Sequence, residues 1–148
     1  MTITKISSAT YVADLVNFIR DKLASNITDP LASVRTSGER FVMTEYPRRA
    51  VRYPIVTVTD RGSKQEQRLG MQSEGTILRL TLEIRVWGRN VKERDELYDS
   101  IHNYLRTEQF DTLTNANLHD FDLSSVVNVS EEEVKSKVVE ITWLYVCV

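Results

Sequence analysis

Cysteine occurs once and histidine twice in the 148 residues, and that scarcity removes several kinds of protein at the outset. Cys147 alone cannot close an internal disulfide, which points to a reducing compartment. As a nucleophile it is poorly placed, because it lies in an apolar stretch beside the C-terminus, where a buried and inert thiol is the ordinary outcome. His102 and His119, with no second cysteine, match no zinc-ligand spacing. No apolar run approaches the ~20 residues that a membrane helix needs, and MTITKISSATYV lacks the apolar block of a signal peptide. The expectation is a chain made and kept in the cytoplasm, without a membrane partner, in which the glycosylation patterns at Asn26 and Asn128 carry no weight. Only five glycines are present, and they form neither a GxxxxGK phosphate loop nor a GxGxxG turn. Gly62, Gly70 and Gly75 sit together in one polar stretch instead. No catalytic residue, cofactor or metal site is expected.

What is present is ordinary in amount and uneven in distribution. At 41% hydrophobic and 27% charged residues, the chain has the composition of one folded domain over residues 1–148, long enough to bury a core without staples. Net charge is −2. Between Arg35 and Arg68, however, eight basic residues face four acids, a balance of +4, whereas from Glu108 onward eight acids face two lysines, a balance of −6. Two oppositely charged regions suit head-to-tail association of copies, since one copy's basic face can meet its neighbour's acidic one. An ordinary solvated surface would show the same pattern.

The clearest periodic signal is Thr76 to Trp87, where Leu78, Leu80, Leu82, Ile84 and Val86 alternate with polar residues and Trp87. Period two over this length predicts a strand with one buried face, and so an antiparallel sheet. Tyr53 to Arg61, with Ile55, Val56 and Val58 among β-branched threonines, predicts a second strand. The polar stretch GSKQEQRLGMQSEG between them has no apolar period, and loops of that length are often functional. It is expected to form a long projecting hairpin arm. Apolar spacing of three and four predicts an amphipathic helix from Tyr11 to near Asn26, capped by Ser7 or Ser8. A second helix follows Gly88, with Asn90 and Glu93 as a capping box. Residues Leu31 to Arg52 break any period and are expected to be irregular, with a short strand within Arg40 to Tyr46. Two more strands are predicted. In Phe121 to Val129, residues 121, 123, 125, 127 and 129 share a face, and Lys137 to Val148 is apolar on both sides and therefore interior. The fold class is α+β: a mainly antiparallel sheet of four to five strands, with two amphipathic helices packed on one face.

Two constellations bear on chemistry. Asp60 with Glu83-Ile84-Arg85 is similar to the Asp…Glu-x-Lys pattern of restriction-like nucleases, in which paired carboxylates hold magnesium. Arginine stands where lysine is required and is a weak proton acceptor, because its pKa stays above about 12. Glu83 and Arg85 also fit the polar face of an alternating strand. The second constellation is PRRAVRYP, whose Arg48, Arg49 and Arg52 lie between Tyr46 and Tyr53 and suit either nucleic acid or the acidic residues of an adjoining subunit. The acidic balance of the whole chain favours the subunit.

YPIVTVTDR, the polar hairpin, LRLTLEIRVWGRNVKERDELYDSIHNYL and the terminal VVEITWLYVCV together resemble the tail terminator, or tail completion, proteins of long-tailed bacteriophages. The likeness includes the Val86-Trp87 pair running into a helix with the register Arg94 to Ile101 and spans Thr10 to Val148. Related neck and head-tail joining proteins share this pattern. The resemblance implies a homo-oligomeric ring, usually hexameric, that caps the tail tube and joins it to the head connector, with DNA passing through the lumen. It implies assembly in the host cytoplasm and a final place in the virion. The expected contacts to a neighbouring subunit or the tube are Arg61, Lys64 and Arg68 of the arm, with Arg48, Arg49 and Arg52 beside it.

Overall fold

The computed structural model describes residues 6–7, 9–35, 40–45, 52–69, 75–130 and 135–147. The chain is α+β, with a five-stranded sheet and two helices. In sequence order the elements are α1 (Tyr11–Asn26), β1 (Val42–Met43), β2 (Ile55–Leu69), β3 (Gly75–Gly88), α2 (Val91–Glu108), a π-turn (Gln109–Leu113), β4 (Leu118–Ser130) and β5 (Lys135–Cys147). The strand order is β1-β2-β3-β5-β4. Three of the four pairings are antiparallel, and β1 runs parallel to β2 through Val42↔Val56 and Met43↔Thr57, so the sheet is mixed.

Alternation on β3 buries Leu80, Leu82, Ile84 and Val86, and the register sets them beside Trp143, Ile141 and Val139 of β5 and Val58 and Val56 of β2. These residues form one face of the sheet, called here the core face. Leu15, Phe18, Ile19 and Leu23 of α1 and Leu97, Ile101 and Leu105 of α2 belong to the same buried cluster. Each such side chain contributes about 1.5–3 kcal/mol by leaving water, a driving force that fixes which way every strand faces. β5 is an interior strand, as its two apolar sides require.

Several expectations are corrected. β2 does not stop at Arg61: it pairs with β3 as far as Leu69↔Gly75, so most of the polar stretch is strand, while the tip at 70–74 lies outside the described residues. Period two fails to announce this because neither face of that length supplies the apolar residues from which the rule reads a strand. The helix α1 is entered through Thr10, whose side chain makes no capping bond; the Asp14 carboxylate instead accepts from Ser7 N and Thr10 Oγ1. On α2, Asn90 Oδ1 accepts from Glu93 N at 2.9 Å, but the Glu93 carboxylate returns to Arg89 N and the Arg89 guanidinium rather than to Asn90. Gly88 is required just before that turn, since a Cβ there would lie 2.9 Å from Arg94 N. On β4 the predicted single face is broken by irregularities between His119 and Asp122 and between Leu123 and Ser125. Phe121 and Leu123 pack against the core, whereas Ser125, Val127 and Val129 pass to the other face.

One electrostatic cluster ties α2 to the sheet. Asp95 Oδ1 accepts from Arg94 Nε and pairs with Lys137 Nζ of β5, both at 3.0 Å, and Lys137 also lies over the Tyr98 ring. The Arg94 hydrogen bond and then Lys137 hold the Asp95 carboxyl below its ordinary range. A depressed carboxylate contributes stability that is present above its unfolded-state pKa and lost as pH falls through the folded-state value. Asp95 is half exposed, so the contribution at neutral pH is at most about 1 kcal/mol. Asp95→Asn is expected to flatten the fall in Tm below about pH 4, measured by thermal melts across pH; an acid limb identical to that of the unmodified chain would contradict the assignment.

Candidate assembly surface

The face of the sheet opposite the core carries four of the charges that the sequence singles out, Arg61, Lys64, Glu83 and Arg85. Here Glu83 and Glu140 stand directly across from each other on β3 and β5, a like-charge pairing that is destabilising by itself. Arg61 resolves it, with Nη1 3.3 Å from Glu83 Oε2 and Nη2 3.6 Å from Glu140 Oε1. Arg61 reaches this position because the register shifts between Asp60 and Gly62, leaving it as an extra residue on β2. Gly62 has φ +117°, a conformation that favours glycine, and it lets the strand absorb the bulge. Further along the same face, Arg79 Nη1 donates to Thr142 Oγ1 and Arg85 Nη2 donates to Ser136 Oγ, each at 3.2 Å. The Arg85 guanidinium lies 4.0 Å from the centre of the Trp87 ring, which in turn lies against Tyr53.

This arrangement separates the nuclease-like residues. Asp60 stands opposite Leu82, whose side chain is in the core, so the register assigns Asp60 to the core face and Glu83 to the other. Glu83 is engaged by Arg61 and Arg85 by Ser136 and Trp87. Two carboxylates on opposite faces cannot share a magnesium ion. Among the described residues no group of three or more His, Cys, Asp or Glu side chains is placed to hold a metal.

Of the six predicted contacts, Arg61 is half exposed (52%) and already ion-paired within the chain, and Lys64 is exposed on β2, directly across from Arg79. The backbone of Arg68 pairs opposite Thr76, while its side chain lies outside the described residues, as do Arg48 and Arg49. Arg52 is exposed and its Nη1 donates to Val34 O. The structure therefore brings Arg61 and Lys64 onto one face and assigns Arg52 a bond within its own segment.

Sequence reasoning counted Arg35 only as one of the basic residues and missed its role. Its guanidinium donates to Asp29 Oδ2 at 2.7 Å, to Arg52 O at 2.9 Å and to Pro54 O, and it lies over the Phe41 ring. No spacing rule marks such a residue, because its partners are backbone carbonyls brought near by the fold. The positive φ angles of Asn117 (73°) and Asp120 (57°) were equally invisible, although both residue types tolerate that region better than most.

An open cleft of about 520 Å³ lies between the end of α1, Pro54 and α2, bounded by Thr28, Lys92, Glu96 and Tyr104 among others. Its charges are of mixed sign. Glu93 is engaged by Arg89, and Asn26 Nδ2 donates to Tyr104 OH. Among the described residues no helix is long and apolar enough to cross a membrane. Neither a model of a known protein family nor a curated protein sequence matches the chain.

Proposed function

We propose that the chain is a structural assembly protein of the tail terminator type: copies close into a ring, of six in the usual case, that caps a tail tube and joins it to the head connector. The observation that carries this reading is a five-stranded sheet whose outermost strands, β1 and β4, each have a strand partner on one side only among the described residues, in a chain whose charge is segregated along its length. Open edges are liabilities that proteins ordinarily cover or pair, and a closed ring covers both at once. In this reading the two amphipathic helices pack on one face of the sheet. The β2–β3 hairpin projects as an arm, with Lys64 and Arg68 meeting a neighbouring subunit or the tube and Arg48, Arg49 and Arg52 contributing beside it. The site of action is the virion, and DNA passes through the lumen without sequence-specific contact. The charge ladder on the face opposite the core then has a structural role, holding the strands of the ring in register rather than binding a metal.

The test is direct. Light scattering and negative-stain electron microscopy of the purified chain are expected to show closed rings of one subunit number, and adding the chain to polymerising tail tubes is expected to stop their growth. A strict monomer together with no effect on tube length would overturn the proposal.

A further inference from the structure

We infer that the seam of this ring joins the β4 edge of one copy to the free length of β2 in the next, with Asp122 and Asp120 of the first meeting Arg61 and Lys64 of the second. The inference rests on the ring reading and names the surface that closes it. Among the described residues, β4 pairs with β5 alone. Among the described residues, β2 has an outer partner only at Val56 and Thr57, where the short β1 lies, which leaves its edge open from Val58 onward.

Strand direction gives the first argument. Three consecutive antiparallel pairings make β2 and β5 run one way and β3 and β4 the other. A copy generated by rotation about an axis along the strands keeps these directions, so its β2 arrives antiparallel to the first copy's β4. That is the more stable of the two pairing modes.

Register gives the second. Tracing partners across the sheet, Gly62, Thr81, Thr142 and Asp122 lie at one level; Lys64, Arg79, Leu144 and His119 lie at another, and all eight are on the face opposite the core. A closed ring has no rise along its axis. Residues at one level in a copy therefore meet residues at the same level in the next, which brings exposed Asp122 and Asp120 beside Arg61, Gly62 and Lys64.

Charge gives the third. Arg61 and Lys64 are exposed cations on this open length of β2, and carboxylates on a facing strand would complement them. The β4 edge supplies two aspartates at that height. At its other end the edge exposes Val126 (39%) and Val127 (52%), and Val127 is level with Thr57, whose outer neighbour is Met43 of β1. The seam is thus charged at one end and apolar at the other, which fixes its direction. Both edges are also bulged, at Arg61 on β2 and at Ser124 on β4, nearly at one height. Bulges discourage pairing with arbitrary strands, whereas a copy presented in one register by the ring has no such freedom to slip.

Two measurements test the seam. His119→Cys and Lys64→Cys are placed together in a Cys147→Ser chain; within one copy these positions are three strand spacings apart, about 14 Å, too far for a disulfide. Mild oxidation is expected to give a ladder of covalently joined copies on a denaturing gel. In parallel, Asp122→Lys or Lys64→Asp alone is expected to raise the concentration at which the ring dissociates by about tenfold or more, and the two together to restore it, with far-UV circular dichroism confirming that each variant is folded. A ring of unchanged mass that gives no ladder and ignores the charge reversals would overturn the seam and leave the ring, the edges then belonging to another partner. A monomer without a ladder would overturn both.

Discussion

Trp143→Ala is expected to destabilise the chain by about 3–5 kcal/mol, the range for truncating a large buried aromatic. Trp143 is completely buried (0% exposed) and is the bulkiest such residue in the chain. It stands on interior strand β5, directly across from Leu80, and its ring meets that of Phe121 on β4 at 5.9 Å. Its Nε1 donates to Gln109 Oε1 at 3.1 Å, and Gln109 Nε2 in turn donates to Leu118 O. The one side chain thus joins the core face to the π-turn and to the start of β4. Alanine leaves a void bounded by three elements that cannot all collapse into it, because the sheet holds two of them at fixed spacing. For a chain of this size the loss corresponds to a fall in Tm of roughly 10 °C or more. Trp143→Phe keeps most of the volume but leaves the Gln109 carbonyl without its donor, and is expected to cost about 1–3 kcal/mol. Chemical denaturation of the three proteins checks both values; a Trp143→Ala chain within 1 kcal/mol of the parent would show that the packing here is slack.

The residues that made β3 and β5 readable are those that the core demands. Leu80, Leu82, Ile84 and Val86 alternate because a strand with one dry face can satisfy burial in no other way, and the doubly apolar Lys137 to Val148 announces a strand flanked on both sides. The helices were legible for the same reason, through Leu15, Phe18, Ile19 and Leu23 and through Leu97, Ile101 and Leu105. What burial does not dictate was not legible. The outer half of β2 is held by backbone pairing with β3 rather than by an apolar face, so its sequence reads as a loop although it is a strand. The bulges at Arg61 and Ser124 reassign faces without changing composition, which is why Arg61 was recognised as a surface cation but not as the bridge between Glu83 and Glu140. On β4 the strict alternation from Phe121 to Val129 was a sound rule applied across a bulge that it cannot detect.

Arg35→Ala is expected to cost about as much as the loss of Trp143, about 3–5 kcal/mol, although it removes no hydrophobic side chain. The Arg35 side chain is 6% exposed and spends its donors on three acceptors from separate parts of the chain: Asp29 after α1, the Arg52 carbonyl and the Pro54 carbonyl at the entry to β2. Arg52 answers in the reverse direction by donating to Val34 O, so the two ends of the irregular segment are laced together through arginine-to-backbone bonds. From β2, Val56 N donates to Phe41 O of that segment, and the Phe41 ring underlies the Arg35 guanidinium. Removing Arg35 leaves the Asp29 carboxylate, 16% exposed, without its cation and strips the carbonyls of a shared donor, which is the costly way to break a buried charge pair. Arg35→Lys separates charge from shape: an ammonium can still meet Asp29 but cannot reach three divergent acceptors from one plane, so about half of the loss is expected to remain. Because β1 and Phe41 hang on this lacing, the opening should be local before it is global. Hydrogen exchange of Arg35→Lys is expected to rise first at Val34, Arg35 and Val56, with β3 and β5 protected as in the parent. Uniform acceleration across the whole sheet would mean that Arg35 supports the core itself, and unchanged exchange at Val56 would mean that β1 is held by its two ladder pairs alone.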